Sequence, residues 1–147
     1  MKKWIRFVPV LAWMGVIFWF SAQDGASSGR QSEQIVRWLA SVGVTGPSVE
    51  LLVRKAAHMA EYAVLCALAH YALSPAPGGL RRFLLCVGFS ACYALTDEFH
   101  QLFVGGRGAS IVDVAIDTAG AAIGGGLFAL GAWLRDRRIR ASGGERT

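Results

Sequence analysis

Two stretches of the 147-residue chain concentrate side chains that can move protons, hold metals or grip anions: RKAAHMAEY at 54–62 and DEFHQLFVGGRGASIVDVAID at 97–117. His58, Glu61, Asp97 and His100 are the residue types a general acid–base pair requires. The same four are candidate ligands for a divalent metal, because imidazole nitrogen and carboxylate oxygen are common donors and H-x-x-E puts two of them on one helix face. The spacing is not the H-E-x-x-H of metalloproteases, and a third ligand is not fixed. Alternatively, Lys55 and Arg107 could hold a phosphate while a histidine and a carboxylate exchange a proton. A third chemistry is binding without turnover, in which Lys55, Tyr62, Glu98, Gln101, Arg107, Asp113 and Asp117 line a polar cavity for a lipid head group. No G-x-S-x-G, P-loop or catalytic-cysteine motif is present. Cys66, Cys86 and Cys92 lack metal-ligand spacing and read as small core residues.

These groups must be positioned by apolar elements. The chain is 54% hydrophobic with a mean hydropathy of +0.42, well above a soluble domain of one-domain length. Residues 4–22, 53–73, 83–103 and 111–134 each approach the roughly 20 residues that cross a bilayer core. The expected fold is therefore all-α: a single domain over 1–147, built as a four-helix transmembrane bundle, with 135–147 as a cytoplasmic tail. After the first span, SAQDGASSGRQSEQ opens an external loop, and Ile35, Val36, Trp38 and Leu39 recur at helical spacing. They predict a short amphipathic helix, lying on the outer leaflet or packed on the protein. Ser48 is placed to cap the second long helix, and Ser110 with Asp113 forms an S-x-x-D signature opening the fourth.

Charge sets the orientation. Although the isoelectric point is near 9.6, the basic residues form no patch interleaved with aromatics, which argues against nucleic acid as a partner. With both termini on one side of the membrane, that side holds ten Lys and Arg against two acidic residues, and the other holds five against eight. The positive-inside rule makes the first side cytoplasmic. The polar stretches then lie near the external face of the membrane. The first segment also has the n- and h-regions of a secretory signal, but the bulky FWF at 18–20 and the lack of a small-x-small site argue against cleavage.

Helical geometry collects the polar residues. At 100° per residue, Lys55, His58 and Tyr62 fall within roughly 60°, and Glu61 widens the sector to about 120°. Asp97, His100 and Gln101 share a face flanked by Glu98. Asp113 and Asp117 are one turn apart, and their stripe continues through Gly120 and Gly124, a small-residue surface suited to a neighbouring helix. Three polar faces at one level predict a shared pocket, since each ionisable group in lipid costs roughly 2.5–3.5 kcal/mol. Bland roles stand beside this one. Asp113 serves equally as a capping-box residue, Lys55 and Arg107 as interfacial cations, and Tyr62, Trp4 and Trp133 as belt aromatics. His70 reads as interfacial, and the whole cluster as a structural salt-bridge network or partner-binding surface.

In these motifs the sequence resembles the VanZ-like family of small bacterial membrane proteins. The resemblance rests on FSAQ at 20–23, RKAAHMAEYAVL at 54–65 and ALTDEFHQLFVGGRGASIVDVAIDTAGAAIG at 94–124. One departure is Gly105, where a proline often precedes the Gly-Arg pair. The resemblance implies a multi-helix envelope protein linked, through the name-giving member, with resistance to the glycopeptide teicoplanin. It implies no settled activity. The expected ligands are membrane lipid or a lipid-linked cell-wall precursor, with a divalent metal as the one cofactor to consider.

Overall fold

The computed structural model describes residues 3–74 and 79–143, with the side chains of residues 3, 25–29, 31 and 143 left undescribed. Every regular element among these residues is helical. A 3-10 turn, Lys3–Phe7, leads into α1, Val8–Ser21; then come α2, Gly25–Ser41, α3, Val49–Ala72, α4, Gly79–Gln101, and α5, Ile111–Gly143.

Each long helix buries one narrow seam. On α1 it is Val10, Ile17 and Ser21, with Met14 partly buried between them. On α4 it is Cys86, Ser90, Ala94, Asp97, Glu98 and Gln101, an i, i+4, i+8 progression that turns from apolar to charged toward the C-terminal end. On α5, Val114, Asp117, Gly120, Ala121, Gly124 and Gly125 continue the pattern. The central pair is α3 and α5, with α4 against both, and α1 and α2 on the outer side of α3. The glycines permit the central approach: a Cβ on Gly120 would lie 2.8 Å from the Met59 Cα, and one on Gly124 2.6 Å from the Ala63 Cα. Side chains fasten α1, with Trp13 Nε1 donating to the Glu61 carbonyl at 2.9 Å and Tyr93 Oη to the Met14 carbonyl at 2.7 Å.

The outward surface is apolar. Leu11, Phe18, Trp19, Leu84, Leu85, Leu95, Phe99, Leu127 and Trp133 are all exposed, while Ser21, Ser90, Asp97, Glu98, Gln101 and Asp117 are buried. That distribution is the reverse of a soluble protein's, and fits a lipid surround.

Several expectations change in detail. The helix expected near Glu33–Leu39 spans Gly25–Ser41 and packs against α3, with Ser32 buried. Helix α5 does not stop at 134: it runs on to Gly143, because RDRRIRA contains no breaker and its arginines complement the helix dipole. Residues 144–147, the rest of the expected tail, lie outside the described residues, as do Lys2 and residues 75–78 of the turn expected at 74–82, whose last four residues open α4. Ser48 makes no side-chain cap; its carbonyl accepts from the Leu52 N–H at 3.0 Å. Among the described residues two helices, Trp4–Ser21 and Ile111–Ser142, are long and apolar enough to cross a membrane on composition alone. Helices α3 and α4 carry the inward-facing charges, which lower their mean hydropathy.

Candidate functional site

The C-terminal ends of α1 and α4 and the N-terminal ends of α3 and α5 meet at one end of the bundle, closed by the loop 102–110. A turn shapes that loop: the Arg107 N–H donates to the Val104 carbonyl at 3.2 Å, and Gly106 takes a φ of +74°, a conformation that suits glycine. The turn directs Arg107 inward, where its guanidinium donates to the Phe20 carbonyl of α1 at 3.4 Å. Burial, and then the neighbouring Arg54, pull Arg107 below the ordinary arginine value, while Asp97, Glu61 and Glu98 push the other way.

Beneath this loop lies a cavity of about 160 Å³. Helix α3 contributes Arg54, Lys55 and His58; α4 contributes Glu98 and Gln101; the loop contributes Arg107; α5 contributes Asp113 and Asp117. Half of these charged groups, Lys55, Asp113 and Glu98, are already engaged. Lys55 pairs with Asp113. Glu98 Oε2 accepts from the Ser110 N–H at 2.7 Å, and Ser110 Oγ accepts from the Asp113 N–H at 3.4 Å. The capping signature is thus split: Ser110 caps α5, but the acid that receives its own N–H comes from α4, freeing Asp113 for Lys55. Gln101 donates to Asp97 Oδ2 at 3.1 Å, and both are buried.

Other groups have no such partner. Among the described residues Arg54 makes no hydrogen bond or ion pair, and Arg107 bonds only a carbonyl. His58 Nδ1 stands 3.7 Å from Glu61 Oε2, within ion-pair range and too far for a hydrogen bond. Tyr62 Oη, Asp97 Oδ1 and Asp117 Oδ1 are buried without a hydrogen-bond partner among the described residues. Buried polar atoms are normally satisfied, so these groups, at the level of the cavity, are open to a partner that enters it.

A second cavity of about 170 Å³ lies between α1, α2 and α3, lined by Phe20, Ile35, Val53 and Ala57 together with Glu61. Arg54, His58 and Arg107 line both cavities, which therefore adjoin at these three side chains.

The structure therefore groups Lys55, His58, Glu98, Gln101, Arg107, Asp113 and Asp117 on one cavity and sets Glu61 on the adjoining one. Tyr62 is buried beneath them, within electrostatic reach of Asp97 and Asp117. His100 lines neither cavity; its ring packs on Phe18, 4.5 Å between centroids. His58, Glu61, Asp97 and His100 do not converge as a metal set, since among the described residues no three His, Cys, Asp or Glu side chains are grouped to share an ion. His70, at the opposite end, is buried, its ring 5.2 Å from that of Phe128 between centroids.

Sequence reasoning passed over Arg54, although a signal was available. Residues 54, 58 and 61 stand at i, i+4 and i+7, a stripe as regular as the one through Lys55, His58 and Tyr62. The second cavity left no such trace, because it forms only when three separate helices meet.

Compared with known families, the VanZ/LLP1 model matches residues 7–133. No curated protein and no solved structure matches the chain.

Proposed function

We propose, of a chain that belongs to the VanZ/LLP1 family, that it is a multi-pass protein of the bacterial cytoplasmic membrane whose extracytoplasmic cavity binds the phosphate of an anionic lipid or lipid-linked cell-wall precursor. In this reading α1, α3, α4 and α5 cross the bilayer as a four-helix transmembrane bundle, with both termini in the cytoplasm. The reversed distribution of apolar and polar residues and the basic bias toward the ends of the chain support that topology.

The observation that carries the ligand class is the pair Arg54 and Arg107. Among the described residues two guanidinium groups face one cavity without an acidic partner in ion-pair contact, while Asp113 and Glu98 are occupied by Lys55 and by the Ser110 N–H and the third lining acid, Asp117, is buried on α5. Guanidinium matches phosphate oxygens in a bidentate manner, and burial strengthens each contact. A wholly structural network would instead match each cation with an anion. His58, with Glu61 behind it at 3.7 Å, is placed to exchange a proton with a bound phosphate oxygen. The link to glycopeptide resistance follows, in this reading, from handling such a precursor.

The test is binding of phosphatidic acid to the purified protein in a non-ionic detergent, read by native mass spectrometry. Arg54→Ala should weaken binding about tenfold or more, as expected for losing one charged hydrogen bond of ~1.5–3 kcal/mol, with an unchanged thermal midpoint. Wild-type affinity in a folded Arg54→Ala variant would overturn the reading. Loss of stability with unchanged affinity would instead favour a structural network.

A further inference from the structure

The two cavities differ in character but adjoin. The polar one is bordered by α3, α4, α5 and the loop, whereas the second has an apolar side, Phe20, Ile35, Val53 and Ala57, with Ser32 and Glu61 as further polar neighbours. Arg54, His58 and Arg107 border both, so the cavities adjoin at these side chains, and a molecule whose charged group met them could extend its other end into the second cavity. That cavity reaches the surface at Ile35, which is 51% exposed, and at Ala57. Leu51, Leu52, Phe18 and Trp19, near the lining residues in sequence, are exposed, as are Glu33 and Arg37 on either side of Ile35.

Resting on the phosphate-binding reading above, we infer that the ligand is bipartite: its phosphate sits at Arg54 and Arg107 in the polar cavity, and the first carbons of its hydrocarbon chain occupy the cavity between α1, α2 and α3. The occupant is a membrane amphiphile and not a free phosphate. At ~30 Å³ for a group the size of water, about 170 Å³ accommodates roughly five or six carbons. The rest of the chain leaves past Ile35 and Ala57 into the surrounding lipid. Helix α2 thereby has a role beyond bridging: Ile35 forms the outer wall of the chain site, and Arg107, held by the Phe20 carbonyl, forms the junction.

The experiment measures binding of inorganic phosphate and of methyl, ethyl, butyl and hexyl phosphate to the full chain in a phosphate-free, non-ionic detergent. In the wild type, affinity should rise by up to about fourfold for each added methylene, the gain expected for ~0.8 kcal/mol of burial per group, and level off near five or six carbons. Ala57→Trp fills the apolar cavity from α3, and Ile35→Trp fills it from α2, so a folding defect in one leaves the other as the test. Each should keep wild-type affinity for methyl phosphate while flattening the chain-length series. A flat series in the wild type, or an unchanged slope in a folded variant, overturns the bipartite site and leaves the phosphate reading standing. Failure of the wild type to bind any phosphate compound overturns both.

Discussion

Lys55 and Asp113 show how the sequence and the folded chain can use one residue for two purposes. From sequence, Asp113 completes a capping box with Ser110. In the fold only the serine half is local, because Glu98 reaches across from α4 to take the Ser110 N–H at 2.7 Å. Three helices are thereby joined at one point, by one capping bond, one ion pair and one cross-helix bond. The Lys55 and Asp113 side chains are 29% and 35% exposed, so the pair falls between a surface and a buried bridge. In a double-mutant cycle on Lys55→Ala and Asp113→Ala, unfolded in detergent, the pair should show a coupling of about 1 kcal/mol. Additive single losses would mean that the pair contributes nothing. The neighbouring turn gives a second expectation. Gly106→Ala should destabilise by about 1–2 kcal/mol because of its positive φ. Gly105→Pro should be tolerated or stabilise by ~0.4–1 kcal/mol, since a proline suits the position before that glycine. Thermal midpoints that shift in the opposite order would show that the turn is not what shapes the loop. At this scale the sequence was informative about which residues are polar and level with one another. It was uninformative about pairing, since His100 points to Phe18 and Arg54 faces both cavities for reasons that lie on other helices.

Among the elements, α5 was the most legible, because its period-matched small and acidic residues leave one possible buried face. Gly120 and Gly124 meet the backbone of α3 at Met59 and Ala63. A leucine at 124 cannot be accommodated by a side-chain shift, since backbone is what it would strike. Gly124→Leu should therefore cost about 3 kcal/mol or more, at or beyond the upper end of overpacking losses, and lower the thermal midpoint in detergent. An unchanged midpoint would show that the two helices do not meet there. Helix α2 was the least legible. Its glycine- and serine-rich beginning has turn composition, and only packing on α3 and the exposed Arg37–Glu33 pair at 2.6 Å show how far it extends. The overrun of α5 into its arginines has a similar origin: composition marks where lipid ends, and not where a helix does.

For the whole molecule, the apolar exterior and charged interior were visible as a pattern of hydropathy, and the fold agrees on which faces turn inward. Orientation remains the part that rests on charge. With Cys66, Cys86 and Cys92 replaced by alanine, Gly108→Cys should react with an impermeant thiol reagent in intact cells, and Arg138→Cys only after permeabilisation. Gly108 has open space around its Cα, so the new side chain should not disturb the loop. The reverse labelling pattern would invert the topology. The contacts of α1 also have a consequence in time. Its Met14 carbonyl receives Tyr93, 79 residues later, and its Phe20 carbonyl receives Arg107, 87 residues later. At ~5–20 residues per second of synthesis, these partners emerge roughly 4 to 17 s after the helix they hold. During that interval α1 can be held only by what emerges sooner, such as the Glu61 carbonyl that Trp13 reaches, so its seam closes in chain order and a slowed ribosome lengthens the time before Tyr93 and Arg107 arrive.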